Sequence, residues 1–140
     1  MKKILAAILA GLMALSMAAC GAAGSGTGDG SEKVYRVGII QLVTHDALDA
    51  ATKGFQDALT AELGEGSVKF DLQNAAGDSN TCATIVNSFV SNQVDLIMAN
   101  ATPALQAAAA ATAEIPILGT SVTEYGVAMG IDNFTGTVGG

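Results

Sequence analysis

A parallel β-sheet with helices on both faces is the fold this sequence predicts: an α/β architecture with strands in the spatial order 2-1-3-4. Four short runs rich in β-branched residues alternate along the chain with segments of helical spacing, and the connections between them are short. The first of these runs ends close to continuously apolar, as strands covered on both faces do. Alternation of this kind calls for right-handed β-α-β crossovers.

The chain begins with Met1-Lys2-Lys3, and residues 4–19 are apolar or small throughout. That run falls short of the roughly 20 apolar residues a comfortable membrane span needs. Its charge, length and small-residue ending are those of a secretory signal peptide over residues 1–19. The ending, Leu15-Ser16-Met17-Ala18-Ala19-Cys20, resembles the bacterial lipobox. That resemblance implies that the Cys20 thiol receives a diacylglycerol and becomes the first residue of the mature chain, anchored in the membrane by its lipid. Residues 20–32 are dominated by Gly, Ala, Ser and Thr and read as a flexible tether. Residues 33–140 are left to fold, enough for one small domain.

Val34-Tyr35-Arg36-Val37-Gly38-Ile39-Ile40-Gln41 supplies the first strand. Leu48, Ala51, Phe55, Ala58, Leu59 and Leu63 then share a helical face, with Asp49, Lys53 and Asp57 opposite at i, i+4 spacing. Gly64 and Gly66 end that helix. Val68-Lys69-Phe70-Asp71-Leu72-Gln73 alternates, which predicts a second strand near a sheet edge. Ser79 or Asn80 can cap a second helix burying Ile85, Val86, Phe89 and Val90. Residues 94–99 form the third strand. Thr102 as N-cap, with Pro103 in the first turn, opens a third helix that runs to residue 113. The run Ile115-Pro116-Ile117-Leu118-Gly119 makes the fourth strand, with Pro116 at its start.

Composition narrows the function classes. Of six basic residues, Lys2 and Lys3 leave with the signal, so four face 13 acidic ones, a net of −9. Such a surface gains nothing from nucleic acid or anionic lipid. Cys82 has no intrachain partner once Cys20 is acylated, and its neighbours predict a small buried helix residue. One histidine and one spare cysteine supply no metal site, and no cofactor motif is present: neither Gly-x-Gly-x-x-Gly nor Gly-x-x-x-x-Gly-Lys occurs. The Gly-x-Ser-x-Gly nucleophile elbow is absent too. His45, with Asp46 beside it and Asp49 at i+4, is better placed to cap a helix than to catalyse. The chemistry on offer is binding, and no catalytic residue is assigned.

In an open parallel sheet the ligand lies beyond the carboxyl ends of the strands, where the strand order reverses. The four loops predicted there, residues 41–45, 74–80, 100–102 and 120–123, are dominated by Thr, Ser, Asn and Gln. These are neutral hydrogen-bonding groups suited to a small polar molecule. The helix start at Ala101-Thr102-Pro103 adds free amides and a positive dipole end, a seat for a carboxylate.

The segments Val37-Gly38-Ile39-Ile40-Gln41, Phe70-Asp71-Leu72-Gln73-Asn74-Ala75, Asp95-Leu96-Ile97-Met98-Ala99-Asn100-Ala101-Thr102-Pro103 and Ile115-Pro116-Ile117-Leu118-Gly119-Thr120-Ser121-Val122-Thr123 together carry a resemblance. In order and spacing they are similar to the substrate-binding proteins of ABC transporters with the type I periplasmic-binding-protein fold, nearest to the branch for tryptophan, tyrosine or phenylalanine. The resemblance implies the first of two lobes, with ligand contacts on Gln41, Thr44, Ala101, Thr102, Ser121, Val122 and Thr123. It implies an amino-acid solute as ligand, ABC permease and ATPase subunits as partners, and a place on the outer face of the cell membrane. Family members are about twice as long, so a fragment of a longer receptor is expected, binding weakly by itself. A nucleoside or sugar receptor on the same fold is the alternative, although no aromatic ring falls in the four loops except Tyr125 at their edge. A flavodoxin-like enzyme or response regulator would also fit the fold, but a secretion signal and the lack of an acidic cluster after the first strand oppose it.

Overall fold

The computed structural model describes residues 33–130. The signal peptide, Cys20, the tether to residue 32 and residues 131–140 lie outside the described residues. In chain order the elements are β1 (Tyr35–Gln41), α1 (Asp46–Leu63), β2 (Val68–Asn74), α2 (Ser79–Ser91), β3 (Leu96–Asn100), α3 (Thr102–Ala111), β4 (Ile117–Thr120) and α4 (Tyr125–Met129). All three strand pairs are parallel and the sheet runs β2-β1-β3-β4, the order the sequence predicts.

The chain moves one way across the sheet from β1 to β2 and the other way from β2 through β3 to β4. Right-handed crossovers therefore place α1 on one face and α2 and α3 on the other. The two apolar clusters match this division. Val37, Ile39 and Met98 pack with Phe55 and Leu59 of α1. Ile40, Ile97 and Ala99 pack with Cys82, Val86 and Phe89 of α2 and with Ala104, Leu105 and Ala108 of α3. Cys82 is buried as expected, and burial pushes its thiol up, helped by the charge of Asp78 and opposed by a backbone hydrogen bond. None of the described helices is long and apolar enough to cross a membrane.

Helix α1 departs from its predicted stripe. Leu48, Ala51, Phe55 and Leu59 are half-buried, but Ala58 and Leu63 are exposed, and the one fully buried residue of the helix is Thr52. Among the described residues α1 is the only long helix on its face of the sheet. It meets the strands along one narrow line, and side chains away from that line stay wet. Phe55 reaches the sheet and meets Phe70 edge-on, 6.4 Å between centroids.

Helix starts agree with expectation at α1 and differ at α2 and α3. His45 caps α1, its Nδ1 accepting from the Ala47 amide at 3.2 Å. Asp78, in place of Ser79 or Asn80, caps α2, its Oδ1 accepting from the amides of Asn80 and Thr81 at 2.6 and 3.2 Å. Ala101 takes the N-cap position of α3 and Thr102 is its first residue, while Pro103 does sit in the first turn. The Thr102 hydroxyl is turned elsewhere, accepting from the Thr123 amide at 3.5 Å. The short α4 was not anticipated. Glu124 caps it, accepting from the Gly126 amide at 3.0 Å, and the Tyr125 hydroxyl donates to the Gly119 carbonyl at 2.8 Å.

Three strands begin later than predicted, β1 by one residue at Tyr35. The Val94 amide bonds back to the Phe89 carbonyl at 3.3 Å, and β3 starts at Leu96. The Ile115 amide is taken by the Thr112 hydroxyl at 3.2 Å, so β4 starts after Pro116.

Candidate functional site

At their carboxyl ends the strands finish on one register row, Asn74, Gln41, Asn100 and Thr120, each opposite its neighbour. The preceding row on the same face is Leu72, Ile39, Met98 and Leu118. A sheet that is apolar along its length thus turns polar at the end where the strand order reverses.

The polar row is wired to α1. Thr52 Oγ1 donates to Gln41 Oε1 at 2.8 Å, and Asn100 Nδ2 donates to Thr52 Oγ1 at 2.9 Å and to the Leu48 carbonyl at 2.8 Å. Gln41 Nε2 donates to the Val43 carbonyl at 2.9 Å and to Asp49 Oδ1 at 2.5 Å. Asn100, 0 % exposed, keeps its Oδ1 without a hydrogen-bond partner. The Leu42 amide bonds to the Asn100 carbonyl at 3.2 Å, and the Ala75 and Gly77 amides bond to the carbonyls of Gln41 and Leu42 at 2.9 and 2.7 Å. Asn74 Nδ2 donates to Thr44 Oγ1 at 3.1 Å.

The seven residues assigned to ligand contact lie at or just after the carboxyl ends of β1, β3 and β4, yet their surroundings differ. Gln41 is 4 % exposed and both halves of its amide are engaged inside the protein. Val122 packs against the cluster beneath α2 and α3. Ala101 is buried, its amide donating to the Thr120 carbonyl at 3.0 Å. Thr44, Ser121 and Thr123 are exposed and Thr102 is half-buried. The first-turn amides of Thr102 and Ala104 have no carbonyl within α3 to bond, whereas the Leu105 amide reaches the Ala101 carbonyl at 3.1 Å. Two residues here hold left-handed backbone: Ala101 at φ 98° and Ser121 at φ 54°.

A cavity of about 570 Å³ opens between α1 and the β2 edge, lined among others by Gln41, Thr44, Asp49, Thr52, Leu72 and Asn74. It gathers Gln41 and Thr44 but none of the predicted contacts after β3 and β4. Among the described residues no three His, Cys, Asp or Glu side chains converge to hold a metal ion.

Sequence reasoning missed Thr52 and gave Asn100 no interior role. Thr52 carries a signal in retrospect: a lone hydroxyl between Ala51 and Lys53, one turn after Leu48, on the helix flank that meets the sheet. Asp49 is exposed, as its place opposite the apolar face predicts, and its carboxylate also accepts from Gln41.

Comparison with known proteins places this arrangement. The sequence model described as ABC transporter substrate binding protein matches residues 36–136. A tyrosine-binding protein of Clostridioides difficile (strain R20291) is 40 % identical over 151 residues, covering 99 % of this chain and 44 % of that protein. The chain therefore spans less than half the length of the curated relative it matches. The ligand-free, open structure of a substrate-binding protein with adhesive properties from Clostridium difficile is 45 % identical, with a TM-score of 0.65, over 69 % of this chain and 33 % of that one. A Streptococcus pneumonia ABC domain in complex with L-Trp is 36 % identical, with a TM-score of 0.65, over the same shares of 69 % and 33 %. With the family model covering most of the chain, and the parallel sheet ending in a polar, loop-lined crevice, the chain belongs to the ABC transporter substrate-binding protein family.

Proposed function

We propose that this chain is the first lobe of an extracytoplasmic receptor that delivers an aromatic amino acid to an ABC importer. The observation that carries the reading is the start of α3 at the reversal of strand order, where half-buried Thr102 opens the helix against the loop of exposed Ser121 and Thr123, its hydroxyl accepting from the Thr123 amide at 3.5 Å. Amides at a helix start favour a carboxylate, and neutral hydroxyls add hydrogen bonds without competing charge. The names of two relatives, one tyrosine-binding and one holding L-Trp, support an aromatic side chain on that ligand. Thr44, across the crevice after β1, supplies a further hydroxyl. Gln41 and Val122 act from behind, shaping the loops. Cys20 carries the lipid that ties the receptor to the outer face of the membrane, and permease and ATPase subunits complete the importer.

The test is calorimetric titration of tyrosine, tryptophan and phenylalanine onto the chain joined to the remaining part of its tyrosine-binding relative. Thr102→Ala should weaken binding by about 1 kcal/mol or more, the loss expected for a hydrogen bond to a charged group. Full affinity in that variant would move the carboxylate seat elsewhere. Fatty-acid labelling that marks the wild type and spares Cys20→Ser checks the anchor.

A further inference from the structure

We propose that Thr52 is a positioning residue, the strut that holds the loop after β1 at a fixed distance from the start of α3. The inference rests on the crevice being the ligand site, and it adds a residue that touches no ligand.

The geometry is specific. Gln41 ends β1 and Asn100 ends β3, opposite each other in the register. Neither side chain bonds the other directly. Thr52 Oγ1 stands between them, giving its proton to Gln41 Oε1 at 2.8 Å and taking one from Asn100 Nδ2 at 2.9 Å. A hydroxyl has one proton to give and two lone pairs, so these bonds orient it fully and fix both amides. With its oxygen engaged by Thr52, Gln41 turns its NH₂ toward the loop, where it holds the Val43 carbonyl at 2.9 Å and Asp49 at 2.5 Å. Val43 precedes Thr44, the crevice hydroxyl, which is held from the other side by Asn74. At the far end of the strut, Asn100 leads straight into Ala101 and the helix start.

Mid-helix threonines usually return their hydroxyl to the carbonyl one turn back. Here that carbonyl, Leu48, receives Asn100 Nδ2 at 2.8 Å, leaving the Thr52 proton free for Gln41. Thr52 is 3 % exposed, so a lost partner is not replaced by water. Asn100 Oδ1 already lacks a donor, so the network has no spare N–H or O–H to replace the one Gln41 Oε1 would lose.

Amide hydrogen exchange on the full chain tests this without any ligand, so the outcome is independent of whether an amino acid binds. Thr52→Val keeps the shape and deletes the hydroxyl. It should speed exchange about tenfold or more at Leu42, Ala75 and Gly77, whose amides bond across these loops. Amides in the middle of β1, residues 37–40, should keep their protection, and Thr52→Ser should restore the loop. Gln41→Met removes the same links from the strand side and should loosen the same residues. Unchanged loop exchange in Thr52→Val would overturn the proposal. So would an equal rise at every amide, or loss of folding in both Thr52→Val and Gln41→Met, since a group that only positions a loop is dispensable to the sheet.

Discussion

Gly38 shows how one residue can decide a close approach. A Cβ built there would lie 2.6 Å from Phe89 Cδ2 and 2.7 Å from Cγ, closer than carbon atoms pack. Phe89 is fully buried and has no room to retreat. Gly38→Ala should therefore destabilise the fold by about 2 kcal/mol in urea unfolding, in the range for overpacked cores. Combining it with Phe89→Leu should cost less than the two changes added, and strict additivity would refute the contact as the cause. At the opposite end of the sheet from the crevice, Asp95 Oδ2 accepts from the Arg36 amide at 2.8 Å, with Lys33 at 3.3 Å from Oδ1. These partners, the backbone amide foremost, hold its carboxyl below the usual carboxylate range. A carboxylate whose pKa is lowered by folding stabilises above its unfolded value, about 3.9, and that stability is lost as pH falls through the lower folded value. Melts of wild type and Asp95→Asn should thus differ at pH 6, and the difference should begin to shrink near pH 4, about the unfolded value, and vanish only below the lower folded value. A difference that is constant with pH would exclude the charge as its source.

Among the elements, α3 is the one whose start is under strain. Ala101 has φ 98° and ψ 158°, a region populated almost solely by glycine. Two bonds demand it: the Ala101 amide reaches back to the Thr120 carbonyl, and the Ala101 carbonyl receives the Leu105 amide. Ala101→Gly keeps both bonds and relieves the clash, offset in part by the freer unfolded chain. A gain of about 1 kcal/mol is expected, a rise in Tm of roughly 4–8 °C for a domain of this size. A lower Tm would show that the methyl group contributes more by packing than the turn loses in strain. Element types were legible for all but the short α4, because apolar spacing of two or three-to-four residues is a local property and five residues are too few to show it. Caps were not. Ser79, Asn80 and Thr102 are all competent cap residues by type. Asp78 and Ala101 hold those positions because the chain leaves β2 and β3 at a particular angle, which single-residue preferences do not encode.

At the scale of the molecule, the described sheet is unevenly covered. Leu72 and Leu118, in the same register row at the two edge strands, are 49 % and 48 % exposed, while Ile39 and Met98 between them are buried. The chain also spans 44 % of its tyrosine-binding relative. A ligand held from one side loses its translational and rotational freedom, a cost of about 4 kcal/mol or more, against part of the contacts. Tyrosine titrated onto the 140-residue chain alone should bind far more weakly than onto the extended receptor of the calorimetric test. A Kd of about 1 μM or tighter for the monomeric chain would contradict this and make the single lobe a receptor in itself.

The sequence by itself determined the alternation of strands and helices, the parallel sheet, its 2-1-3-4 order and the edge position of β2. Each follows from hydrophobic period, connection length and the handedness of the crossover, all carried by neighbouring residues. Tertiary structure alone decided that Gln41 faces inward, that Asp49 answers it, and that Thr52 joins it to Asn100. Those bonds link residues 8, 11 and 48 positions apart, and their partners are chosen by register and helix placement once the sheet has formed. A polar side chain in a sequence shows what it can donate or accept. Only the folded chain shows what it meets.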